Sequence, residues 1–111
     1  MAEPNDTIAA ALSGLGVPYA YRKFKGRDVQ APPYITYYIE REQFYGPDSG
    51  CRLKKSSVVI ELYTDHKDFA LEGQLEAILA PDDFEKSEDF DETDELYRIT
   101  FVTELTLKLP R

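Results

Sequence analysis

The residue types that most often carry out chemistry are few in this sequence, and their spacing fits no common catalytic arrangement. The chain has one cysteine, Cys51, and one histidine, His66. A nucleophilic cysteine or serine needs a base such as histidine within hydrogen-bonding reach. Cys51 lies in a predicted turn and His66 at a predicted helix start, a position more typical of a surface histidine. A zinc site needs three or four cysteine or histidine ligands, so we predict no catalytic residue and no zinc centre.

Carboxylates are plentiful, but their spacing matches no ion or phosphate site. Asp89, Asp91 and Asp94 lack the glycine and the bidentate glutamate of an EF-hand loop. Neither GxGxxG nor GxxxxGK[ST] occurs, so the sequence predicts no metal and no cofactor. Residues 21–27 mix bases with aromatics and could stack on a nucleic acid, but a pI near 4.6 is unfavourable for a polyanion binder. By elimination, the sequence favours a binding function.

Charge is distributed unevenly along the chain. Residues 82–95 hold nine acidic residues and one basic residue, whereas the rest of the chain has twelve of each. A smaller basic cluster lies near the N-terminus. This asymmetry suits head-to-tail or charge-steered association, although a solvated acidic hairpin explains the run equally simply. The candidate interface residues in these clusters are Arg22, Lys23, Lys25, Asp89, Asp91 and Glu92.

Tyrosines crowd one predicted hairpin. Aromatic residues on both faces of a strand cannot all enter one core when helices cover a single face. They are therefore either half-buried sheet residues or anchors of a protein interface, where tyrosine is enriched. The candidate interface residues in this hairpin are Tyr34, Tyr37, Tyr38, Phe44 and Tyr45.

Hydrophobic periodicity predicts two helices. The first carries an apolar stripe that includes Ile8 and Leu12, and Asn5 or Asp6 would cap it. Gly14 and Gly16 follow the stripe and predict the end of this helix.

The second helix carries its apolar stripe at Leu71, Leu75, Ile78 and Leu79. Asp65 is placed to cap it, and Asp68 to reach back toward its first turn. Gly73 costs about 1 kcal/mol against alanine inside a helix, and a close approach of this helix to the sheet would explain its presence.

Alternating apolar residues predict the strands, at residues 17–24, 34–42, 53–63, 84–90 and 96–109. The predicted fold is one α+β domain over residues 1–111, with a four- or five-stranded, mainly antiparallel sheet and two helices packed on one face. No segment is apolar over the roughly 20 residues that cross a bilayer. The first residues lack a basic region, which predicts no secretory signal.

The last strand is longer than such a domain requires. Its fourteen residues, thirteen steps of about 3.3 Å, would span roughly 43 Å, more than the width of a 111-residue domain. The strand must therefore bend, or its end must extend beyond the body to meet another chain.

Three segments carry a resemblance to a known family: "PPYITYYIEREQF", "VVIELYTDHKDFALEGQLEAIL" and, after the acidic run, "ELYRITFVTEL". From about Val17 onward the chain resembles tail-completion, or tail-terminator, proteins of long-tailed phages and prophages of Gram-positive bacteria. It is similar in this respect to the phage lambda tail terminator, a distant structural relative. The most specific piece is the strand-to-helix junction "IELYTDHKDF".

The resemblance implies a structural virion protein, without enzymatic activity or cofactor, that caps the finished tail tube and offers the surface that joins the head. It implies a ring of copies, commonly six-fold, with the tail tube protein and head–tail connector proteins as partners. DNA would pass nearby without specific binding, and no membrane is involved. The implied location is the head–tail junction of the virion, after assembly in the host cytoplasm.

Three other functions stay open at the level of sequence. An acidic, host-directed DNA mimic would need carboxylates in a row on one rigid face. A neck protein on the head side of the joint shares the same sequence features. A small enzyme is a further alternative, disfavoured by the search for catalytic groups.

Overall fold

The computed structural model describes residues 4–26, 30–46, 53–80 and 83–108, apart from the side chains of residues 4–6, 107 and 108. Two helices and five strands follow in the order predicted from the sequence. In chain order they are α1 (Pro4–Ser13), β1 (Tyr19–Tyr21), β2 (Tyr34–Tyr45), β3 (Leu53–Thr64), α2 (Phe69–Leu79), β4 (Phe84–Asp91) and β5 (Leu96–Lys108).

The five strands form one sheet in the order β1-β2-β3-β5-β4. β1 runs parallel to β2, and the other three pairings are antiparallel. The fold is therefore α+β with a mixed, mostly antiparallel sheet, as predicted. β2 and β3 begin where predicted but end later, at Tyr45 and Thr64, because these end residues also pair, whereas β1 spans only three residues of the predicted range 17–24.

One face of the sheet forms the core. The register places Ile35, Leu62 and Ile99 in one row across β2, β3 and β5, and Tyr37, Ile60 and Phe101 in the next. Both helices contribute apolar side chains to the same buried cluster, among them Ile8 and Leu12 of α1 and Leu71, Leu75 and Leu79 of α2. That both helices lie on this one face stays a prediction, which the shared cluster supports.

The helix caps differ from those predicted. Helix α1 begins at Pro4, so Asn5 and Asp6 lie within it and do not precede it as caps. Asp68 is the N-cap of α2, and its carboxylate accepts a hydrogen bond from the amide of Leu71 at 3.0 Å. Asp65 instead contacts the His66 ring at 2.8 Å. The cap is at Asp68 because an N-cap side chain reaches an amide two or three residues ahead, and the helix begins one residue after it.

Gly73 has an exposed position in the middle of α2, and the predicted close approach of helix to sheet at this residue is wrong. A Cβ built at Gly73 meets nothing within 4 Å. The glycine therefore loosens the helix without a packing reason in the isolated chain.

We predict that Gly73→Ala stabilises the protein by up to about 1 kcal/mol, because alanine loses less backbone entropy in a helix. For a domain of this size the melting temperature should rise by about 4 °C, measured by circular dichroism. Gly16→Ala is the matched control: Gly16 has φ +72°, a left-handed conformation that alanine adopts only with strain, so this variant should melt lower. An unchanged or lower melting temperature for Gly73→Ala would show that the open space is needed.

Candidate docking surfaces

The sheet face opposite the core carries a cluster of aromatic and basic side chains. Strand alternation places Tyr34, Tyr38 and Tyr63 on this face. The rings of Tyr34 and Tyr63 stack with centroids 4.9 Å apart. The guanidinium of Arg22 lies 4.2 Å from the Tyr38 ring centre, and Phe24 meets Tyr34 edge-on at 5.7 Å. The segment that follows β1 thus packs on part of this face.

Basic and acidic residues meet in a recess of about 330 Å³ beside these rings. The residues that line it are Arg22, Lys23, Phe24, Gln30, Tyr34, Thr36, Tyr63, Asp91, Asp94 and Arg98. Four of the predicted interface residues, Arg22, Lys23, Tyr34 and Asp91, are therefore brought together. Since both signs of charge border one aromatic floor, the recess suits a polar protein surface better than a polyanion.

Acidic residues that line this recess affect the ionisation of its aromatic and basic residues. Burial, and then the nearby Asp94 carboxylate, raise the pKa of the Tyr34 hydroxyl. Arg98 forms a 2.7 Å ion pair with Asp89 and a longer one, 3.9 Å, with Glu61. Burial lowers the pKa of the Arg98 guanidinium, but its hydrogen bond to Tyr63 and then the charges of Asp89 and Glu61 leave that pKa raised. Asp89 is therefore paired within the chain.

Tyr37 is the correction among the predicted interface residues. Its side chain is 4 % exposed and belongs to the core cluster, so the prediction that it lies on the surface is wrong. Strand alternation decides the matter, because neighbours on β2 point to opposite faces and only one face is covered by the core. Tyr38, the next residue, lies on the opposite face beneath Arg22. Lys25 and Glu92 are exposed.

The second candidate surface is the end of the sheet that projects past its short outer strands. β1 pairs only with residues 35–37 of β2, and β4 only with residues 96–103 of β5. Residues 40–45, 53–57 and 104–108 form the remaining three-stranded extension, which we call the blade. It lies in a molecule 51 Å long and 30 Å and 25 Å across. Of the two alternatives for the last strand, bending or extension, the structure has β5 extending past β4, paired there with β3 of the same chain.

The blade is ordered by its own polar contacts and exposes aromatic groups. Lys54, 8 % exposed, pairs with Glu42 at 3.2 Å, and the Ser56 hydroxyl donates to the same carboxylate at 3.0 Å. Phe44 and Tyr45 leave 54 % and 43 % of their surface exposed. Exposed aromatic groups on a rigid strand are suited to contact a partner.

A buried ion cluster, which sequence reasoning missed, fastens helix α2 to strand β4. The Glu72 carboxylate is 1 % exposed and lies between the ammonium groups of Lys67, at 2.6 Å, and Lys86, at 2.9 Å. Lys67 also pairs with Glu88 of β4, and Lys86 with Glu76 of α2 at 2.7 Å. No sequence signal identifies this cluster, since Glu72 has the spacing of an ordinary first-turn acid.

The protonation states of the cluster reinforce one another. Burial alone raises the pKa of the Glu72 carboxyl, but hydrogen bonds from Lys67 and Lys86 outweigh it and hold that pKa below its usual value. Hydrogen bonds to Glu76 and Glu72 raise the pKa of Lys86. Burial lowers the pKa of Lys67, yet its bonds to Glu72 and Glu88 leave it raised. The cluster does not line the recess described above, so its geometry is that of a structural clamp.

Other groups that could do chemistry lie apart from these surfaces. His66 is exposed and contacts Asp65. Within the described residues, no three histidine, cysteine, aspartate or glutamate side chains come together in a way that could hold a metal ion. Cys51 lies outside the described residues. Neither of the described helices has the length and apolar character needed to cross a membrane.

Fold and surfaces together define a small α+β domain with two exposed candidate docking surfaces and a buried structural ion cluster. No protein-family model matches the chain, and no curated protein matches it.

We predict that Glu72→Gln destabilises the protein at neutral pH by about 3 kcal/mol, because it removes the charge that compensates two partly buried ammonium groups. The wild-type contribution should be fully present above the usual carboxyl pKa of about 4.5 and be lost as the pH falls through the lowered value in the folded state. At the alkaline end, the raised pKa values of Lys67 and Lys86 keep this stabilising contribution intact up to about pH 10.5, and it is lost as the pH rises further.

Urea unfolding between pH 3 and pH 8 measures this effect, with the slope of stability against pH as the readout. The acid-dependent loss of stability should be smaller in Glu72→Gln than in the wild type. Glu76→Gln, which alters the 39 % exposed neighbour, is the control and should cost less than about 1 kcal/mol. A Glu72→Gln protein with wild-type stability and an unchanged slope would contradict a clamp at this residue.

Proposed function

We propose that this protein is a structural virion component that closes the tail tube of a long-tailed phage and forms the surface to which the head is joined. The family resemblance of the sequence suggests this function. The observation that carries it in the structure is the blade: a three-stranded extension whose outer strand edges and aromatic side chains are exposed. Such an element is suited to add to another protein surface through main-chain and aromatic contacts.

The arrangement of charge supports assembly of copies with unlike surfaces in contact. β4 and the turn after it are strongly acidic, whereas Arg22, Lys23 and Lys25 follow β1, the opposite edge strand; Arg22 and Lys23 also border the recess that Asp91 and Asp94 line. A contact between unlike patches repeats from copy to copy and closes into a ring when the rotation allows. The proposed partners are copies of this chain, a tail tube protein and head–tail connector proteins.

The geometry gives less support to an acidic DNA mimic. β4 places Glu85, Asp89 and Asp91 on one face of the sheet, where Ser87 interrupts the row, and Glu88 on the other face. Arg98 neutralises Asp89, and Lys67 neutralises Glu88. A mimic would need an uninterrupted row of free carboxylates to match the backbone phosphates.

The first test removes the coding sequence from the phage or prophage that carries it. Particles without the protein should show overlong tails and separate filled heads in negative-stain images, because nothing caps the tube. Supplying the wild-type protein in trans should restore joined virions of normal length. Normal virions in its absence would end the proposal. Overlong tails that still carry heads, or normal tails without heads, would separate a tail-side from a head-side role.

The second test addresses the blade. We predict that Phe44→Ser combined with Tyr45→Ser fails to restore joined virions, because the aromatic contacts of the blade tip are lost. Both side chains are exposed, so the melting temperature should stay within about 2 °C of the wild type. Phe69→Ser is the matched control, since Phe69 is 73 % exposed on α2 away from the blade. Full restoration by the double variant would remove the blade tip from the joining surface.

A further inference from the structure

The free end of β5, residues 104–108, directs backbone groups away from the sheet. On β2, the amide of Ile35 donates to the Pro18 carbonyl and the amide of Ile39 to the Tyr21 hydroxyl. The odd-numbered residues 35–39 of β2 therefore bond toward β1. In an antiparallel ladder, bonding alternates residue by residue, so their partners on β3, residues 58, 60 and 62, bond toward β5.

The same alternation fixes which β5 residues face outward. Residues 99, 101 and 103 pair with residues 62, 60 and 58 of β3 and bond to them. The backbone groups of the even-numbered residues of β5 therefore point to the opposite side of the strand. On that side, β4 pairs with β5 only as far as residue 103. The peptide groups of Glu104, Thr106 and Lys108 thus point to the side of β5 where β4 no longer pairs with it.

The two outer edges of the blade differ in how they are built. The edge on β2 is interrupted by a register shift between Ile39 and Arg41, and its next residues are charged, which are two common ways of discouraging strand addition. The edge on β5 also carries charged residues, Glu104 and Lys108, but it has no register shift. Its twelve pairings with β3 run without a shift from Leu53↔Lys108 to Thr64↔Tyr97. A regular edge of this kind is a template for another strand.

The sequence of this edge, Glu-Leu-Thr-Leu-Lys, is complementary to itself in the antiparallel direction. A two-fold axis through Thr106 sets Glu104 of each copy opposite Lys108 of the other, and Leu105 opposite Leu107. Opposite charges, paired threonines and paired aliphatic residues are all favourable cross-strand neighbours. The three outward-facing residues of each copy would supply about six main-chain hydrogen bonds.

The outer strands favour this antiparallel arrangement over a side-by-side one. In a parallel arrangement, β5 of one copy would lie beside β2 of the next. β4 of the first copy and β1 of the second would then have to occupy the same space between those two strands. Under the two-fold axis, the bodies lie at opposite ends of the joined blades. In this register residue 108 of one copy pairs with Glu104 of the other, next to Asp83, the residue before β4.

We propose that the free protein forms a two-fold dimer in which residues 104–108 of two copies pair antiparallel and join their sheets into one. The inference stands apart from the proposed tail function, because it concerns the chain before it reaches any particle. Isologous pairing occupies the β5 edge, so a copy must leave the dimer before that edge can contact a different partner.

Analytical ultracentrifugation of the full chain tests the dimer directly. The mass should rise with concentration from 12.7 kDa toward twice that value, with the transition below about 1 mM. Thr106→Pro removes the outward amide at the axis without removing a bond to β3, and should remain monomeric over the same range. Phe44→Pro is the matched control on the β2 edge and should still dimerise. Circular dichroism melts verify that each variant is folded.

Charge reversal tests the register. Glu104→Lys and Lys108→Glu each place two like-charged pairs in the joint and should weaken dimerisation about tenfold or more. An equimolar mixture of the two single variants should recover it, because each lysine again meets a glutamate. The double variant should recover it by the same reasoning. The control pair, Lys25→Glu and Glu92→Lys, lies away from the edge and should leave dimerisation unchanged.

A wild-type chain that stays at 12.7 kDa up to about 1 mM would overturn the dimer, as would Thr106→Pro dimers. Loss of dimerisation in Phe44→Pro alone would overturn the choice of edge, and loss in both proline variants would indicate head-to-tail joining instead. Failure of recovery in the charge mixture would overturn the register. None of these outcomes bears on whether particles lacking the protein have overlong tails, so the dimer and the tail function fail separately.

Discussion

The central antiparallel ladder between β3 and β5 is the constraint on which the other features of this protein depend. It joins twelve consecutive residue pairs, and β2 and β4 attach to its two sides. Because the side chains of a strand alternate between faces, an unbroken register places every apolar row on the same side. A slip of one residue would turn Ile60 and Phe101 toward solvent. The same register sets the length of the blade, since both strands continue past the outer strands that flank them.

The acidic strand β4 stays on the sheet although it brings few apolar side chains. Phe84 packs beside the core, but most other β4 residues are exposed and charged. Lys67 and Arg98 bind carboxylates of β4, and Lys86 binds a carboxylate of α2. These ion pairs offset the negative charge where β4 lies close to α2 and β5. The buried Glu72 is the shared partner of both lysines. Part of the acidic run thus serves the fold, and the turn residues after β4 remain free for association.

Periodicity predicted the order and type of every element, because a covered sheet face and a helix stripe each impose their own spacing on the apolar residues. It could not rank Tyr37 against Tyr38, since both strand faces carry tyrosine and only the tertiary structure shows which face is covered. Glu72 was unpredictable for a related reason. Its partners come from the turn before the helix and from a later strand, so no local pattern distinguishes it from a solvent-exposed glutamate. The cap was misplaced because both Asp65 and Asp68 satisfy the local rule.

β5 is regular because its core-facing side chains must stay packed where it pairs with β3. Leu105 packs against the core and Ser56, its partner on β3, is fully buried, so a bulge here would open the base of the blade. The usual protection of an edge is therefore available only through the outward residues. These carry one acidic and one basic side chain, Glu104 and Lys108, four positions apart, a pattern that repels no copy of itself. β2 meets Ser56 from the other side with Glu42, a charged residue that binds Ser56 and Lys54, and so carries both a register shift and successive charged residues. The contrast between the edges is thus a consequence of where the core ends, and it leaves β5 as the edge that a second strand can join.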